Sequence, residues 1–173
     1  MKMEREQIID AVRNWLDQDD WHYDFDAEDM TLTTGVGGLD SKIKKLSLLF
    51  LFKEDCYTLY ATAPINGDTD DLTELNKFIT MANYGLRNGN FELDFRDGEI
   101  RYKTFVNCDG LETLPEEIIK DSVYAACLTV DRYGDGLAAL AMGFSDAETE
   151  IKKVEGRSES DESEDESEDE SEE

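Results

Sequence analysis

The segment KLSLLFLFK, residues 45 to 53, constrains this chain more than any other stretch. Its alternation puts Leu46, Leu48, Phe50 and Phe52 on one side and Leu49 and Leu51 on the other. Successive side chains of a strand point to opposite faces, so this strand is apolar on both. A strand of that kind belongs in the middle of a sheet. The two-residue connection Glu54-Asp55 leads into CYTLYATA, where Tyr57, Leu59, Ala61 and Ala63 alternate with Thr58, Tyr60 and Thr62. The pair reads as a hairpin that stops at Pro64, which cannot donate to a ladder.

Helices must cover such a sheet, and their periodicity is visible on either side of it. From Glu4 to Gln18 the apolar residues Ile8, Ile9, Val12, Trp15 and Leu16 form one stripe of an amphipathic helix. Trp21, Tyr23 and Phe25 then alternate with polar residues, and the pattern runs on to Met30 and Leu32 as a single first strand that Gly35, Val36, Gly37 and Gly38 break. Asp71 and Glu74 have capping-box spacing, followed by Leu72, Leu75, Phe78, Ile79, Ala82 and Leu86 at helical intervals up to Asn88-Gly89. Phe91, Leu93 and Phe95 alternate before Asp97-Gly98, a hairpin signal, and Ile100, Tyr102, Thr104 and Val106 return. Thr113 and Glu116 have capping-box spacing again. From Ile119 the apolar positions step by four and three through Val123, Ala126, Val130, Tyr133, Leu137, Leu140 and Phe144. A continuous helix from Leu114 to Phe144 would be roughly 45 Å long at about 1.5 Å per residue, and Gly134 and Gly136 are positions at which it could break or kink. The fold class is α+β: helix, three strands, helix, two strands and a long helix, with helices packed on an antiparallel sheet.

The domain reads as residues 1–150, followed by an acidic low-complexity tail, 151–173. Beyond Gly156 the sequence RSESDESEDESEDESEE offers nothing apolar to bury, so nothing offsets the entropy of ordering it, and disorder is expected. Ser158, Ser163 and Ser167 each precede an acidic residue by three positions, the spacing of acidophilic kinase sites.

The formal net charge is −26, from 43 acidic and 17 basic residues. Residues 155–173 hold 12 of the acidic ones, so the remainder is acidic in its own right. Charge of that sign disfavours nucleic acid and anionic membrane as partners and favours a basic protein or peptide. Cys56, Cys108 and Cys127 are odd in number and far apart, which points to reduced thiols and a cytoplasmic setting. No apolar run reaches the ~18 residues of a membrane span.

The motifs that would carry chemistry are incomplete. His22 has no second histidine beside it. Gly35 to Gly38 has neither GxGxxG nor a following GK[ST], and reads as a turn. Asp68, Asp70, Asp71 and Glu74, and likewise Asp131, Asp135 and Gly136, imitate calcium loops without the full ligand spacing. No cofactor, metal or catalytic residue is assigned, and the chain is expected not to be an enzyme.

Four phrases carry a family resemblance: IIDAVRNWL, YTLYATAP, LNKFITMANYGLRNGNFELDFRDGEIRYKT and DRYGDGLAALAMGFSDAE. Through them residues 4 to 145 resemble the YbjN-like family, whose fold is similar to that of type III secretion chaperones. The resemblance implies a chaperone-like or regulatory binding domain, often dimeric, without catalytic residues. Two expectations follow. Leu49, Leu51, Tyr60 and Phe105 lie on strand faces opposite the main core and are either partner-binding residues or a second core beneath the third helix. Val130, Tyr133, Leu137 and Leu140 form the seam of an expected homodimer. The competing function is that of a polyanionic regulator that binds a basic protein, or mimics nucleic acid, through its acidic surface and tail.

Overall fold

A computed structural model describes residues 3–156. The elements run α1 (Arg5–Gln18), β1 (Tyr23–Asp26), β2 (Thr31–Gly37), β3 (Lys45–Phe52), β4 (Cys56–Asn66), α2 (Thr73–Gly85), β5 (Asn90–Leu93), β6 (Glu99–Asn107) and α3 (Glu116–Ala141). A further helix, α4, covers 147–156. The six strands form one antiparallel sheet in the order β1-β2-β3-β4-β6-β5. As the two-sided apolar pattern demands, β3 and its hairpin partner β4 are central.

Four strands precede α2, where three were expected. The alternation from Tyr23 to Leu32 is interrupted by a turn in which the Asp26 carboxylate accepts the backbone N–H groups of Glu28 and Asp29, at 2.8 and 3.1 Å. Met30 takes a left-handed φ of 53°. The chain therefore doubles back, and Tyr23 pairs with Thr34 instead of continuing forward.

α1, α2 and α3 pack on one face of the sheet, and α4 is tied to α2 through Lys77 and Glu148. That face presents Leu32, Leu48, Phe50, Tyr57, Leu59, Ala61, Ile100 and Tyr102, all fully buried. α3 crosses β4 and β6, and α2 lies against β5 and α3. Within this layer Tyr57 and Ser122 share a 2.8 Å hydrogen bond, and Tyr133 stands edge-on to Phe78 and Phe91. α1 joins the same layer through α3, where Gln18 Nε2 donates to Glu116 at 2.7 Å.

α3 is continuous through Gly134 and Gly136 and ends at Ala141, three residues short of Phe144. The two glycines are there for close approach. A Cβ on Gly134 would fall on Ser41 Oγ and 2.8 Å from Ser41 Cβ, and one on Gly136 would lie 2.6 Å from the Phe78 ring. Between and before them, Asp131 accepts the N–H groups of Ser41 (2.8 Å) and Asp40 (3.2 Å), and Asp135 accepts that of Lys42 (2.8 Å). Gly35 to Gly37, expected to break the strand as a turn, pair within β2 instead, and the segment Asp40 to Lys42 that follows and the Asp131/Asp135 segment are two halves of one clamp that fixes the β2–β3 loop on α3.

The boundary expected at residue 150 falls inside α4. Asp146 starts that helix by accepting the N–H of Thr149 at 2.9 Å, and Ile151 is only 4% exposed, part of the core. Residues 151–156 thus belong to the fold, because Ile151 supplies the apolar anchor that the sequence beyond Gly156 lacks. The rest of the expected tail, 157–173, lies outside the described residues.

Candidate functional site

Among the described residues no helix lies over the other face of the sheet. Cross-strand register places its side chains in rows. One row runs Asp24, Thr33, Leu49, Tyr60, Lys103 and Asn90; the next runs Asp26, Thr31, Leu51, Thr58 and Phe105; a third runs Gly35, Ser47, Thr62, Arg101 and Glu92. Directly opposite residues share a face, so Leu49, Leu51, Tyr60 and Phe105 form a contiguous apolar cluster across β3, β4 and β6. Leu49, Leu51 and Tyr60 are half-buried, and Phe105 is 58% exposed. They are not a core beneath the third helix. α3 packs on the opposite face, through Tyr57 and Tyr102, because the period of two sends those side chains to the side away from Leu49 and Tyr60.

A polar margin borders the cluster on the β5 side. Glu92 accepts from Arg101 at 2.8 Å and from Lys103 at 2.7 Å, and Arg101 lies over the Tyr60 ring with its guanidinium carbon 4.3 Å from the centroid. Burial alone would raise the pKa of Glu92, but hydrogen bonds from Lys103 and Arg101 outweigh it and hold the carboxyl below its ordinary value. Glu92 is therefore ionised at neutral pH, and its carboxylate is satisfied by the two side chains. Sequence reasoning passed over them, although extending the alternation of β6 back from Phe105 puts Lys103 and Arg101 on the same face.

Val130, Tyr133, Leu137 and Leu140 are placed differently from the expectation. All four are buried in the single chain, and Leu137 is 0% exposed. The seam is spent on the sheet and α2, because α3 is the main cover of β4 and β6. A homodimer would have to use another surface. The outer side of α3 does carry two exposed apolar residues, Tyr124 and Leu128.

The remaining motif residues have structural roles. Asp68 and Asp71 accept backbone N–H groups of Asp70 and Thr73 ahead of and within the first turn of α2, and Glu74 accepts the N–H of Ala147 at 2.8 Å, tying α2 to α4. The His22 carbonyl receives the Thr34 hydroxyl. The cysteines are free, and burial pushes the Cys108 and Cys127 thiols up to about 11, so both are protonated and unreactive at neutral pH. Among the described residues no group of three or more His, Cys, Asp or Glu side chains is arranged to hold a metal ion, and no helix is long and apolar enough to cross a membrane.

No protein-family model matches the sequence, and no curated protein matches it. Solved structures do match the fold. YbjN from E. coli, a proposed transcription regulator, gives a TM-score of 0.52 at 13% identity, over 78% of this chain and 92% of that one. The ExsC–ExsE complex gives 0.54 at 12% identity, over 78% and 96%. The YbjN-like, secretion chaperone-like fold implied by the sequence resemblance is thus the fold of this chain.

Proposed function

We propose that this protein is a non-enzymatic, cytoplasmic protein-binding adaptor, chaperone-like or regulatory in role, whose partner docks on the uncovered face of the sheet. The observation that carries the reading is the apolar cluster of Leu49, Leu51, Tyr60 and Phe105 on a face that none of the described helices covers. A two-layer domain buries the apolar side of each element against another, and an apolar sheet surface left open is a place for a second molecule. The likeness to one member of a two-protein complex is consistent with this.

The net charge of −26 favours a second reading, in which the acidic surface and residues 157–173 attract a basic protein by charge alone. One experiment separates the two. The full chain, the Leu51→Lys variant and a chain ending at Gly156 are used to capture proteins from the native host at low salt and at ~1 M, where the Debye length is about 3 Å. Docking on the sheet predicts that Leu51→Lys loses the captured protein, whereas truncation and salt leave it bound. Loss on truncation and in salt, with Leu51→Lys binding normally, would overturn the sheet reading and establish the polyanion.

A further inference from the structure

β5 stops short of the end of β6. Its ladder covers Ile100 to Lys103, so residues 104–107 of β6 have β4 on one side and no described strand on the other. Asn90 is the last rung, because Gly89 before it has a left-handed φ of 79° and leaves the strand. The ladder with β4 fixes where the free backbone groups point, since antiparallel strands bond through alternate residues. The Cys108 N–H donates to Asp55 at 2.8 Å, and Asn107 stands opposite Cys56. Thr104 and Val106 therefore bond β4, while Phe105 and Asn107 turn their N–H and C=O groups outward.

Both flanks of this edge are apolar. On the open face Phe105, 58% exposed, ends the row that holds Leu51. On the other side runs α3: Ser122 meets Tyr57, the residue across from Val106, and Thr129 lies beside Tyr102. Ala125 and Ile118 precede Thr129 on the same stripe at steps of four and seven, and both are partly exposed, as is Val106. Between the flanks the Thr104 hydroxyl is buried with no hydrogen-bond partner among the described residues. Residues 104–107 read Thr-Phe-Val-Asn, uncharged in a chain of which 35% is charged, whereas the edge strands β1 and β5 carry Asp24, Asp26 and Glu92. An uncharged, unpaired edge of this kind is a template for another strand.

A second copy suits the edge poorly. Two-fold pairing would join four residues per chain, about 13 Å of strand at ~3.3 Å per residue, a short contact beside the ~800 Å² per partner of a stable interface. It would also bring together two chains of net charge −26. Residues 157–173 have no apolar side chain to offer either flank. We infer that an extended segment of another protein adds as a strand to the 104–107 edge of β6, in line with β5. Its alternate side chains are apolar, lying beside Phe105 on one face and against Ile118 and Ala125 on the other, with a hydroxyl or amide at Thr104. This goes beyond the open-face reading, with which it shares Phe105.

The test starts from peptides selected on the full chain from a displayed library of random 12-residue sequences. They are expected to hold a run of at least four residues rich in β-branched and aromatic side chains and free of proline and acidic residues. N-methylation should abolish binding at alternate residues of that run and spare those between, because a strand bonds its neighbour through every second residue. On the protein, Phe105→Ala removes the ring, and Phe105→Pro removes the ring and the outward N–H. β4 does not use that N–H, and an edge position accommodates proline. Circular dichroism checks both folds; should the proline variant fail to fold, the N-methylation pattern decides. Phe105→Pro should bind about two- to twelvefold more weakly than Phe105→Ala, the equivalent of one hydrogen bond of about 0.5–1.5 kcal/mol at ~1.4 kcal/mol per tenfold. Equal affinity for the two variants, N-methylation without alternation, or no peptide selected at all overturns the inference. If peptides of that kind still fail on Leu51→Lys, the open-face reading survives. A full chain that light scattering finds dimeric, with Phe105→Pro monomeric, would place a second copy on the edge and overturn the inference as well.

Discussion

Replacing Gly134 with alanine should destabilise the protein, although alanine is the better helix former. In an unstrained helix interior the change gains about 1 kcal/mol. Here the new methyl would fall on Ser41 Oγ and 2.8 Å from Ser41 Cβ, in a loop whose backbone is held by Asp131 and Asp135. Overpacking of this kind typically costs about 1–3 kcal/mol. Displacing the loop also weakens hydrogen bonds to charged groups, worth about 1.5–3 kcal/mol each when intact. A net loss of about 1–3 kcal/mol follows, or a Tm lower by about 2–12 °C at ~2–4 °C per kcal/mol. In a Ser41→Gly background the obstructing atoms are gone and the next neighbour, Ile43 Cβ, is at an ordinary 3.6 Å. There the same Gly134→Ala change should stabilise, by up to about 1 kcal/mol. Urea denaturation of the four proteins forms a double-mutant cycle. A stabilising Gly134→Ala in the wild-type background, or the same sign in both, would refute the clamp.

Leu137→Ala should lower stability by about 2–5 kcal/mol, the range for a buried leucine. Light scattering should show the same mass as the wild type under native conditions, because Leu137 faces the interior of its own chain. A chain ending at residue 150 should melt well below the full chain for want of Ile151, whereas one ending at Gly156 should melt within about 2 °C of it. Asp131→Asn should flatten the acid limb of the stability curve. Burial would raise the Asp131 pKa, but the N–H groups of Ser41 and Asp40 outweigh it and hold it below the ordinary value. A depressed folded pKa stabilises above the unfolded value, about 3.9, and that contribution is lost as pH falls through the folded one. Denaturation should therefore show the wild type more stable than the variant at pH 7 and the gap closing below pH ~4.

The parts of the fold legible in the sequence are those where one period runs unopposed. α1 and the β3–β4 hairpin follow their apolar alternation, and β3 is central because both of its faces are apolar. Short-range signals failed where a distant partner claimed the same side chain. Glu74 has capping-box spacing with Asp71, yet it accepts from Ala147, and α2 has no side-chain cap. Glu116 is similarly taken by Gln18, and α3 starts after Pro115 without the box expected from Thr113. Asp97-Gly98 does not form a two-residue turn. Gly98, at φ 75°, has its carbonyl bound by the Gly67 N–H at 2.8 Å, and a Cβ there would strike the Gly67 backbone. For the candidate site, alternation alone put Leu49, Leu51, Tyr60 and Phe105 on the face opposite the main core. It could not show that the described helices leave this face uncovered, because that depends on which side α3 crosses.

The most direct test of docking on that face is site-specific photo-crosslinking in the native host, with benzoylphenylalanine at position 51 or 105 of the full chain and at Glu117, on the outer side of α3, as the control. Positions 51 and 105 should both yield a crosslink to the same protein, and position 117 should not. Crosslinks from position 117 with none from 51 or 105 would contradict the account, since the partner would then sit on the helical layer and the apolar sheet face would have no occupant.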